Sequence, residues 1–380
     1  MDRNRYDIAI VGGGVIGCQV AHDLAPEYDV LVVERDRVAS GASGRSAGNV
    51  SPVRFYAQGT DQPAMAKTIR SFFAEFEHGP FSFEPHDRIE LLETGSLDDP
   101  KGKAAEIREH GFDVEFLDKA TLKARYPYFD VSRYDGALLF GDGGWLDPHT
   151  YTTALRDAAT ERGAEFVTGV SVKAIKTADD AVDGVVTADG DFEADHIVVA
   201  AGWRTADLLA DLVKVPISPY RTQIVVLEAT LPERFPIGRA IDKELYFRPE
   251  ANGDLLVGGG SGPINDPDAA SMDADETFRW TVAETIPELL PELDTAGFVN
   301  GWAGLDAASP DGYGIVDAPE DAPEGLIVAS GFTGLGVMTA PAIPPVVRSF
   351  LGEEPPPFAD FFAIDRFEDE TIDAVSAFDH

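Results

Sequence analysis

The sequence contains a single cysteine, Cys18, so no disulfide bond can form within the chain. One cysteine agrees with a reducing compartment, and we expect a cytoplasmic protein. The sequence also lacks an apolar run of the roughly 18 residues that a membrane-spanning helix requires. A signal peptide is not expected, because the apolar residues near the N-terminus run directly into glycines that belong to a folded unit.

Metal-binding motifs are also missing from the sequence. Neither Cys-x-x-Cys nor His-Glu-x-x-His occurs, so we predict no metal site. The seven histidines all lie outside the glycine-rich motifs, and we interpret them as surface or core residues. The chain has 380 residues, of which 44% are hydrophobic, enough for two or three domains around a sizeable core.

Lysine is scarce beside arginine, and the formal net charge is −37 at pH 7. The acidic residues are spread along the whole chain, which is typical of a protein from a halophile. At about 1 M salt the Debye length falls to roughly 3 Å, so surface carboxylates barely repel one another. The alternative is an acidic surface that binds a basic partner, although no separate acidic block stands out. Nucleic acid is not expected as a partner.

The first clear unit is a strand, a glycine-rich turn, a helix and a second strand, over residues 6–36. Gly12, Gly14 and Gly17 form a Gly-x-Gly-x-x-Gly motif directly after the first strand, and Glu34 ends the second strand. This arrangement is typical of a dinucleotide-binding site. The alternative is a plain glycine-rich turn without a ligand.

Each position of this motif has a physical reason in a dinucleotide site. Gly12 permits the tight turn, Gly14 allows close approach of a pyrophosphate, and Gly17 allows the helix to pack on the strand. The helix N-terminus offers roughly half a positive charge to the phosphates. Glu34 would accept hydrogen bonds from ribose hydroxyls, and its charge would repel the additional phosphate of NADP.

The segment SGASGRSAGNVSPVR (residues 40–54) has the composition of a flexible linker. Its position shortly after the second strand favours a different interpretation, a loop that lies against the pyrophosphate. Small residues there permit close backbone approach, and Arg45 and Ser46 can donate hydrogen bonds to phosphate oxygens.

Together with this loop, three further segments resemble the superfamily of FAD-dependent D-amino-acid oxidases, glycine oxidases and sarcosine oxidases. They are LFGDGGWLDPHTYTTAL, ADHIVVAAGWRT and GLIVASGFTGLGVMTAPAIP. The resemblance runs from about residue 6 to about residue 352. It is specific for the superfamily but not for a substrate, and the glycine motif alone does not distinguish NAD from FAD.

The resemblance implies an α/β fold: a doubly wound, Rossmann-like FAD domain with an interleaved α+β substrate domain. The strand-like runs RTQIVVLEAT, ELYFRPE and DLLVGGG agree with a largely antiparallel sheet in the substrate domain. An acidic tail then either folds over the body or is partly disordered. The expected ranges are 1–54, 141–215 and 296–352 for the FAD domain, 55–140 and 216–295 for the substrate domain, and 353–380 for the tail.

The resemblance also implies which residues contact the cofactor, which we expect to be FAD bound noncovalently. They are Gly12, Gly14, Val15, Ile16, Gly17, Glu34, Arg35, Ser43, Arg45, Ser46, Ala47, Gly48, Asn49, Val172, Ala201, Gly202, Trp203, Gly331, Thr333, Gly334, Leu335, Gly336, Val337 and Met338.

Four residues are candidates for the substrate site. Arg54 lies where sarcosine oxidases place an arginine that binds the substrate carboxylate, and its alternative is a surface or phosphate-contacting arginine. Tyr246 matches an active-site tyrosine of those enzymes, and its alternative is an ordinary sheet tyrosine. Arg248 would share a strand face with Tyr246 and is a weaker candidate. Asp306 would meet a nearby arginine or a cationic substrate group, or else be a solvated loop residue.

Some positions depart from the resemblance. Glycine oxidases carry a carboxylate-binding arginine where this chain has Asp306, and monomeric sarcosine oxidases carry their flavin-linking cysteine where it has Gly304. Met338 replaces a carboxylate-binding lysine, and the strand DLLVGGG lacks the lysine that helps such enzymes use oxygen. The last two losses favour a dehydrogenase over an oxidase.

Three functions remain open at this point. The first is an FAD-dependent dehydrogenase or oxidase of a small amine, amino acid or N-methyl amino acid, which passes electrons to oxygen or to a quinone-like carrier. The second is a flavoprotein reductase or hydroxylase supplied by NADH. The third is a flavin-binding subunit of an electron-transfer complex.

Overall fold

The computed structural model describes residues 5–53, 62–75, 81–93, 95, 98–240 and 245–367. Its strands are β1 (Arg5–Val11), β2 (Val30–Glu34), β3 (Asn49–Val50), β4 (Phe83–Pro85), β5 (Arg88–Glu93), β6 (Val114–Asp118), β7 (Tyr134–Phe140), β8 (Gly144–Leu146), β9 (Glu165–Thr168), β10 (Val172–Ala178), β11 (Ala181–Thr187), β12 (Gly190–Val199), β13 (Ser218–Leu227), β14 (Ile237–Ala240), β15 (Leu245–Pro249), β16 (Leu255–Pro263), β17 (Phe298–Ala308), β18 (Ile315–Asp317) and β19 (Leu326–Ser330).

The helices of the same part of the chain are mostly short. They are α1 (Val15–Leu24), α2 (Ala42–Arg45), α3 (Pro63–Glu75), α4 (Pro100–Glu109), α5 (Lys119–Arg125), α6 (Pro148–Glu161), α7 (Thr205–Leu209), α8 (Glu276–Leu289), α9 (Gly336–Thr339) and α10 (Ile343–Phe350). Within the described ranges, no helix is long and apolar enough to cross a membrane.

The first sheet has the strand order β10-β11-β12-β1-β2-β9, and β19 also pairs with β12. Strand β1 pairs in parallel with both β12 and β2. Alternate residues of β1 are buried in different clusters: Ile8 and Ile10 pack with α1, whereas Ala9 and Val11 pack on the opposite face. The central strands β9, β2, β1, β12 and β19 are parallel, whereas β10, β11 and β18 join them by antiparallel pairs. Parallel strands covered on both faces are the doubly wound arrangement, so the predicted fold class is confirmed.

The second sheet has the order β17-β13-β16-β15-β14-β5-β7-β6. All its pairs are antiparallel except β14 with β5. One face packs on α8, where Phe247, Val257 and Val282 form part of a buried cluster. The prediction of an antiparallel sheet from RTQIVVLEAT, ELYFRPE and DLLVGGG is therefore confirmed, and the opposite face of this sheet remains available for a site.

One of the proposed domain boundaries does not agree with the sheet topology. Strand β17 falls within the range 296–352 that was predicted for the FAD domain, yet it pairs with β13 along almost its whole length. The chain thus returns to the first sheet only after residue 308. We propose this later boundary, and the rest of the division stays a prediction.

The beginning of the acidic tail packs on the body. Phe358, Phe362 and Phe367 are buried, and the backbone N–H of Ile364 donates to the Asp317 carboxylate at 2.8 Å. Residues 368–380 lie outside the described part of the chain. Of the two alternatives for the tail, folding over the body therefore holds for residues 353–367.

The negative charge lies at the surface. Among the described acidic residues, only Asp254 is less than 9% exposed, and its carboxylate accepts hydrogen bonds from Ala229 and Asn252. Most of the other described acidic residues are exposed to water and to salt ions. Repulsion among them is therefore controlled by ionic strength, as the halophile interpretation requires.

We predict that the protein is stable only in concentrated salt. Raising KCl from about 0.1 M to about 1 M shortens the Debye length from about 10 Å to about 3 Å, which weakens the repulsion of the folded state. The midpoint of thermal unfolding, followed by tryptophan fluorescence, should rise steeply over this range. An unfolding midpoint that stays constant or falls would contradict the halophile interpretation.

Candidate active site

A cavity of about 1610 Å³ lies between the two sheets. Its walls come from the glycine loop after β1, the free face of the second sheet and the segment Gly331–Met338. Sites for small molecules are usually about 300–1000 Å³, so this cavity has room for a larger ligand together with a small one.

The glycine loop forms a close-packed wall of the cavity. Gly12 has a φ of +115°, and a Cβ atom at this position would lie 2.3 Å from the carbonyl oxygen of Ala200. A Cβ atom at Gly17 would lie 2.0 Å from the carbonyl oxygen of Gly12. Gly12 and Gly14 line the cavity, whereas Gly17 sets the contact between α1 and β1, which agrees with the separate roles predicted for them.

Glu34 lies beside the glycine loop at the end of β2. Its Oε2 accepts a hydrogen bond from the backbone N–H of Gly13 at 2.6 Å, and its Oε1 accepts one from Asp36 at 2.8 Å. The half-buried carboxylate also lines the cavity. Binding of a ribose by Glu34 stays a prediction.

The segment SGASGRSAGN is an ordered wall of the cavity, so the linker alternative is wrong. It contains the helical turn α2, and Ser43 Oγ accepts a hydrogen bond from the Val15 N–H at 2.9 Å. Trp302 Nε1 donates to the Arg45 carbonyl at 2.9 Å and ties the segment to the second sheet. The Arg45 guanidinium itself donates to the Ser40 and Gly41 carbonyls of its own loop.

Asp306 binds the segment Gly331–Met338, which forms one wall of the cavity. Its Oδ2 accepts hydrogen bonds from the Gly334 N–H at 2.9 Å and from the Tyr220 hydroxyl at 3.3 Å, and its Oδ1 accepts from Ala307. Burial raises the pKa of the Asp306 carboxyl, although these three donors oppose the shift. The described arginines do not form an ion pair with Asp306, and the residue lines the cavity.

Most residues predicted for the cofactor line this one cavity. Gly17 and Gly48 do not; Gly48 has a φ of +70° and packs against the Leu146 carbonyl. The predicted residues that do line it are Gly12, Gly14, Val15, Ile16, Glu34, Arg35, Ser43, Arg45, Ser46, Ala47, Asn49, Val172, Ala201, Gly202, Trp203, Gly331, Thr333, Gly334, Leu335, Gly336, Val337 and Met338.

Two polar atoms of the cavity wall fit a bound cofactor. Asn49 Oδ1 and Arg204 Nε are buried and have no hydrogen-bond partner within the described part of the chain. Buried polar atoms are almost always paired in native proteins, so these two require a ligand or water. With the backbone N–H groups at the α1 N-terminus, they give the cavity the polar groups that a dinucleotide needs.

The structure describes three of the four substrate candidates, Tyr246, Arg248 and Asp306. Arg54 lies outside the described residues. Tyr246 lines the cavity, and burial raises the pKa of its hydroxyl to about 12, so it remains a neutral donor near pH 7.

The suggestion that Arg248 belongs to the pocket is wrong. Arg248 Nε donates to the Ala47 carbonyl at 2.7 Å, Nη1 donates to the Pro249 carbonyl, and Nη2 lies 3.2 Å from Glu250. Its guanidinium also stacks on Trp145, 4.4 Å from the ring centroid. These contacts hold the side chain between the sheet and the loop before β3, and it is not among the residues that line the cavity.

The polar side chains of the cavity that the sequence interpretation missed include Arg88, Arg239 and Tyr220. Arg88 carried a signal, because in RIELLE the charged residues alternate with apolar ones and therefore share a face of the strand. The short segment IGRA gave no such pattern around Arg239.

The chain matches a known family along most of its length. The family described as DAO, FAD dependent oxidoreductase, matches residues 7–343. The 4-methylaminobutanoate oxidase (formaldehyde-forming) of Paenarthrobacter nicotinovorans is 29% identical over 357 residues, which are 88% of this chain and 42% of that protein. The glycine oxidase of Pseudomonas putida is 27% identical over 347 residues, which are 88% of this chain and 91% of that protein.

Solved structures give the same fold. Glycine oxidase from Geobacillus kaustophilus superposes with a TM-score of 0.84 at 24% identity, covering 96% of this chain and 99% of that one. L-proline dehydrogenase from P. horikoshii superposes with a TM-score of 0.86 at 23% identity, covering 96% and 98%. The chain therefore belongs to the DAO family of FAD dependent oxidoreductases.

Proposed function

We propose that this chain oxidises the CH–NH bond of a small amino acid or N-methyl amino acid with noncovalently bound FAD. The observation that supports it most strongly is that two groups of residues face one cavity. The glycine loop lies on one side, while Tyr246 and the free face of the second sheet lie on the other. A dinucleotide and a small substrate can thus occupy one space. The similarity to glycine oxidase and to 4-methylaminobutanoate oxidase supports the substrate class.

Noncovalent attachment is supported by the residues around the cavity. Gly304 lines it where a flavin-linking cysteine would be required. The single cysteine, Cys18, lies buried on α1, and burial raises the pKa of its thiol, which disfavours the reactive thiolate. The same buried free thiol agrees with the reducing, cytoplasmic environment that we propose.

The residues of this chain bind and orient the reactants. Asn49 and the glycine loop line the side of the cavity proposed for the cofactor, and Glu34, which lines it too, would accept hydrogen bonds from ribose hydroxyls. The neutral Tyr246 hydroxyl is available to donate a hydrogen bond to the substrate. Bound FAD would supply the redox chemistry, as acceptor of a hydride from the carbon beside the substrate nitrogen, and the resulting imine would be hydrolysed by water.

We favour a dehydrogenase that passes electrons to a quinone-like carrier. The lysine expected to assist oxygen in the strand DLLVGGG is missing, and Gly258 and Gly259 stand in that strand beside Tyr246 and the cavity.

The proposed reaction predicts that an amino acid bleaches the flavin. Holoprotein in high salt is mixed without oxygen with glycine, sarcosine, 4-methylaminobutanoate, proline, D-amino acids or NADH, and the visible spectrum is recorded. Bleaching by one of the amino acids supports the proposal, and slow recovery in air but fast recovery with a dye identifies a dehydrogenase. Bleaching by NADH alone would contradict it in favour of a reductase, and bleaching by none would favour a flavin-binding subunit.

Arg54 is proposed as a carboxylate anchor of the substrate. If it forms a buried pair with the carboxylate, Arg54→Ala leaves that charge uncompensated at a cost of about 3–5 kcal/mol. We expect kcat/KM to fall by on the order of a hundredfold or more, measured by dye reduction in high salt. The control is Arg133→Gln, which removes an exposed guanidinium far from the cavity. A loss of less than about fivefold would remove Arg54 from the site.

A further inference from the structure

Two arginines missed by the sequence interpretation lie side by side on the cavity face of the second sheet. Strands β5 and β14 are its one parallel pair among the described strands, with Arg88 opposite Ile237 and Glu90 opposite Arg239. Ile89 and Leu91 point into the cluster under α8, so Arg88 and Glu90 lie on the other face. Arg88 and Arg239 both line the cavity.

Arg88 is buried, with only 7% of the residue exposed. Its Nη1 donates to Ser51 Oγ at 3.3 Å, and its guanidinium lies 5.9 Å from the centroid of the Phe140 ring. In the described part of the chain it pairs with Glu90, with Nη2 and Oε2 at 3.9 Å, the outer limit of an ion pair. Burial lowers the pKa of Arg88; Glu90 opposes this shift, and the positive charge of Arg239 adds to it.

Arg239 is half-buried and is the second arginine on this face of the sheet. It is the direct cross-strand neighbour of Tyr246, so the guanidinium and the phenol rise from adjacent positions on one face. Within the described ranges, Arg239 has no carboxylate partner. An arginine that lines a cavity without such a partner is suited to an anionic ligand, because its planar fork matches a carboxylate.

The local charges favour one carboxylate on the ligand. Among the described residues of β5 and β14, the two guanidinium groups of Arg88 and Arg239 and the neighbouring Glu90 carboxylate leave one net positive charge. Asp306 does not neutralise it, because β17 and β14 are separated by β13, β16 and β15 in the sheet. At about 4.8 Å per strand, that separation is roughly 19 Å.

We propose that Arg88 and Arg239 form the binding site for the carboxylate of the substrate. The Tyr246 hydroxyl contributes a further donor beside Arg239. Arg54 is no part of this site, and its proposed role is tested separately by Arg54→Ala. This inference rests on the proposed function for the identity of the ligand as a substrate, but not for the binding of a carboxylate.

The test measures binding rather than turnover. Propionate and its neutral analogue propionamide are titrated into FAD-loaded protein in high salt by isothermal calorimetry. Arg239 is changed because it is half-buried, whereas the buried Arg88 is more important for folding. The variants are Arg239→Gln, Arg239→Lys and the exposed control Arg133→Gln.

Propionate should bind to the unchanged protein more tightly than propionamide. Arg239→Gln should raise the Kd of propionate about tenfold or more and leave propionamide unaffected, since a charge-assisted bidentate contact is lost. Arg239→Lys should lie between, because it keeps the charge without the planar fork. A smaller change with Arg239→Gln, or equal weakening of both ligands, would overturn the inference. If Arg239→Gln does not fold, an unchanged Kd with Arg239→Lys would overturn it.

Failure of this inference can be separated from failure of the proposed function. Unchanged propionate binding in the variants, together with bleaching of the flavin by an amino acid, would overturn the arginine site alone. Weakened propionate binding without bleaching by any amine would overturn the proposed reaction and leave the carboxylate site. If both hold, kcat/KM for the bleaching amino acid should fall much more in Arg239→Gln than kcat/KM for its amide.

Discussion

The close contact between the first turn of α1 and the end of β1 is the constraint on which the site depends. Because Gly17 has only a hydrogen atom as its side chain, the helix lies directly on the strand, and a Cβ atom there would lie 2.0 Å from the Gly12 carbonyl oxygen. The contact aims the N-terminus of α1 at the cavity. Ser43 then joins the next loop to that helix, and Trp302 joins the loop to the second sheet. The contact between α1 and β1, extended by the hydrogen bonds of Ser43 and Trp302, thus positions both sides of the cavity.

Local patterns could be predicted from the sequence. The glycine motif, the apolar strands β1 and β2, and the alternating strands of the second sheet are each encoded within about ten neighbouring residues. The prediction for Arg248 failed for a non-local reason: its strand face was right, but the Ala47 carbonyl and Trp145 occupy its guanidinium. Arg88 and Arg239 were missed because only the pairing of β5 with β14 brings them together.

The charges that affect stability and the charges proposed to bind the substrate lie in different parts of the protein. Acidic residues with access to water cover the surface, whereas the sheet face of the cavity carries Arg88 and Arg239. Concentrated salt screens exposed charges much more than buried ones. A guanidinium inside the cavity can therefore still attract a carboxylate under conditions in which the surface charges barely interact.

The most direct test of this account is the FAD content of folded protein purified in high salt. The protein is precipitated with acid, and the flavin in the supernatant and in the pellet is measured by absorbance. We predict about one FAD per chain, all of it in the supernatant, because the cavity holds the cofactor without a covalent bond. Flavin that stays with the pellet would contradict noncovalent binding. Folded protein that takes up no FAD, even when FAD is supplied, would contradict the assignment of the cavity itself.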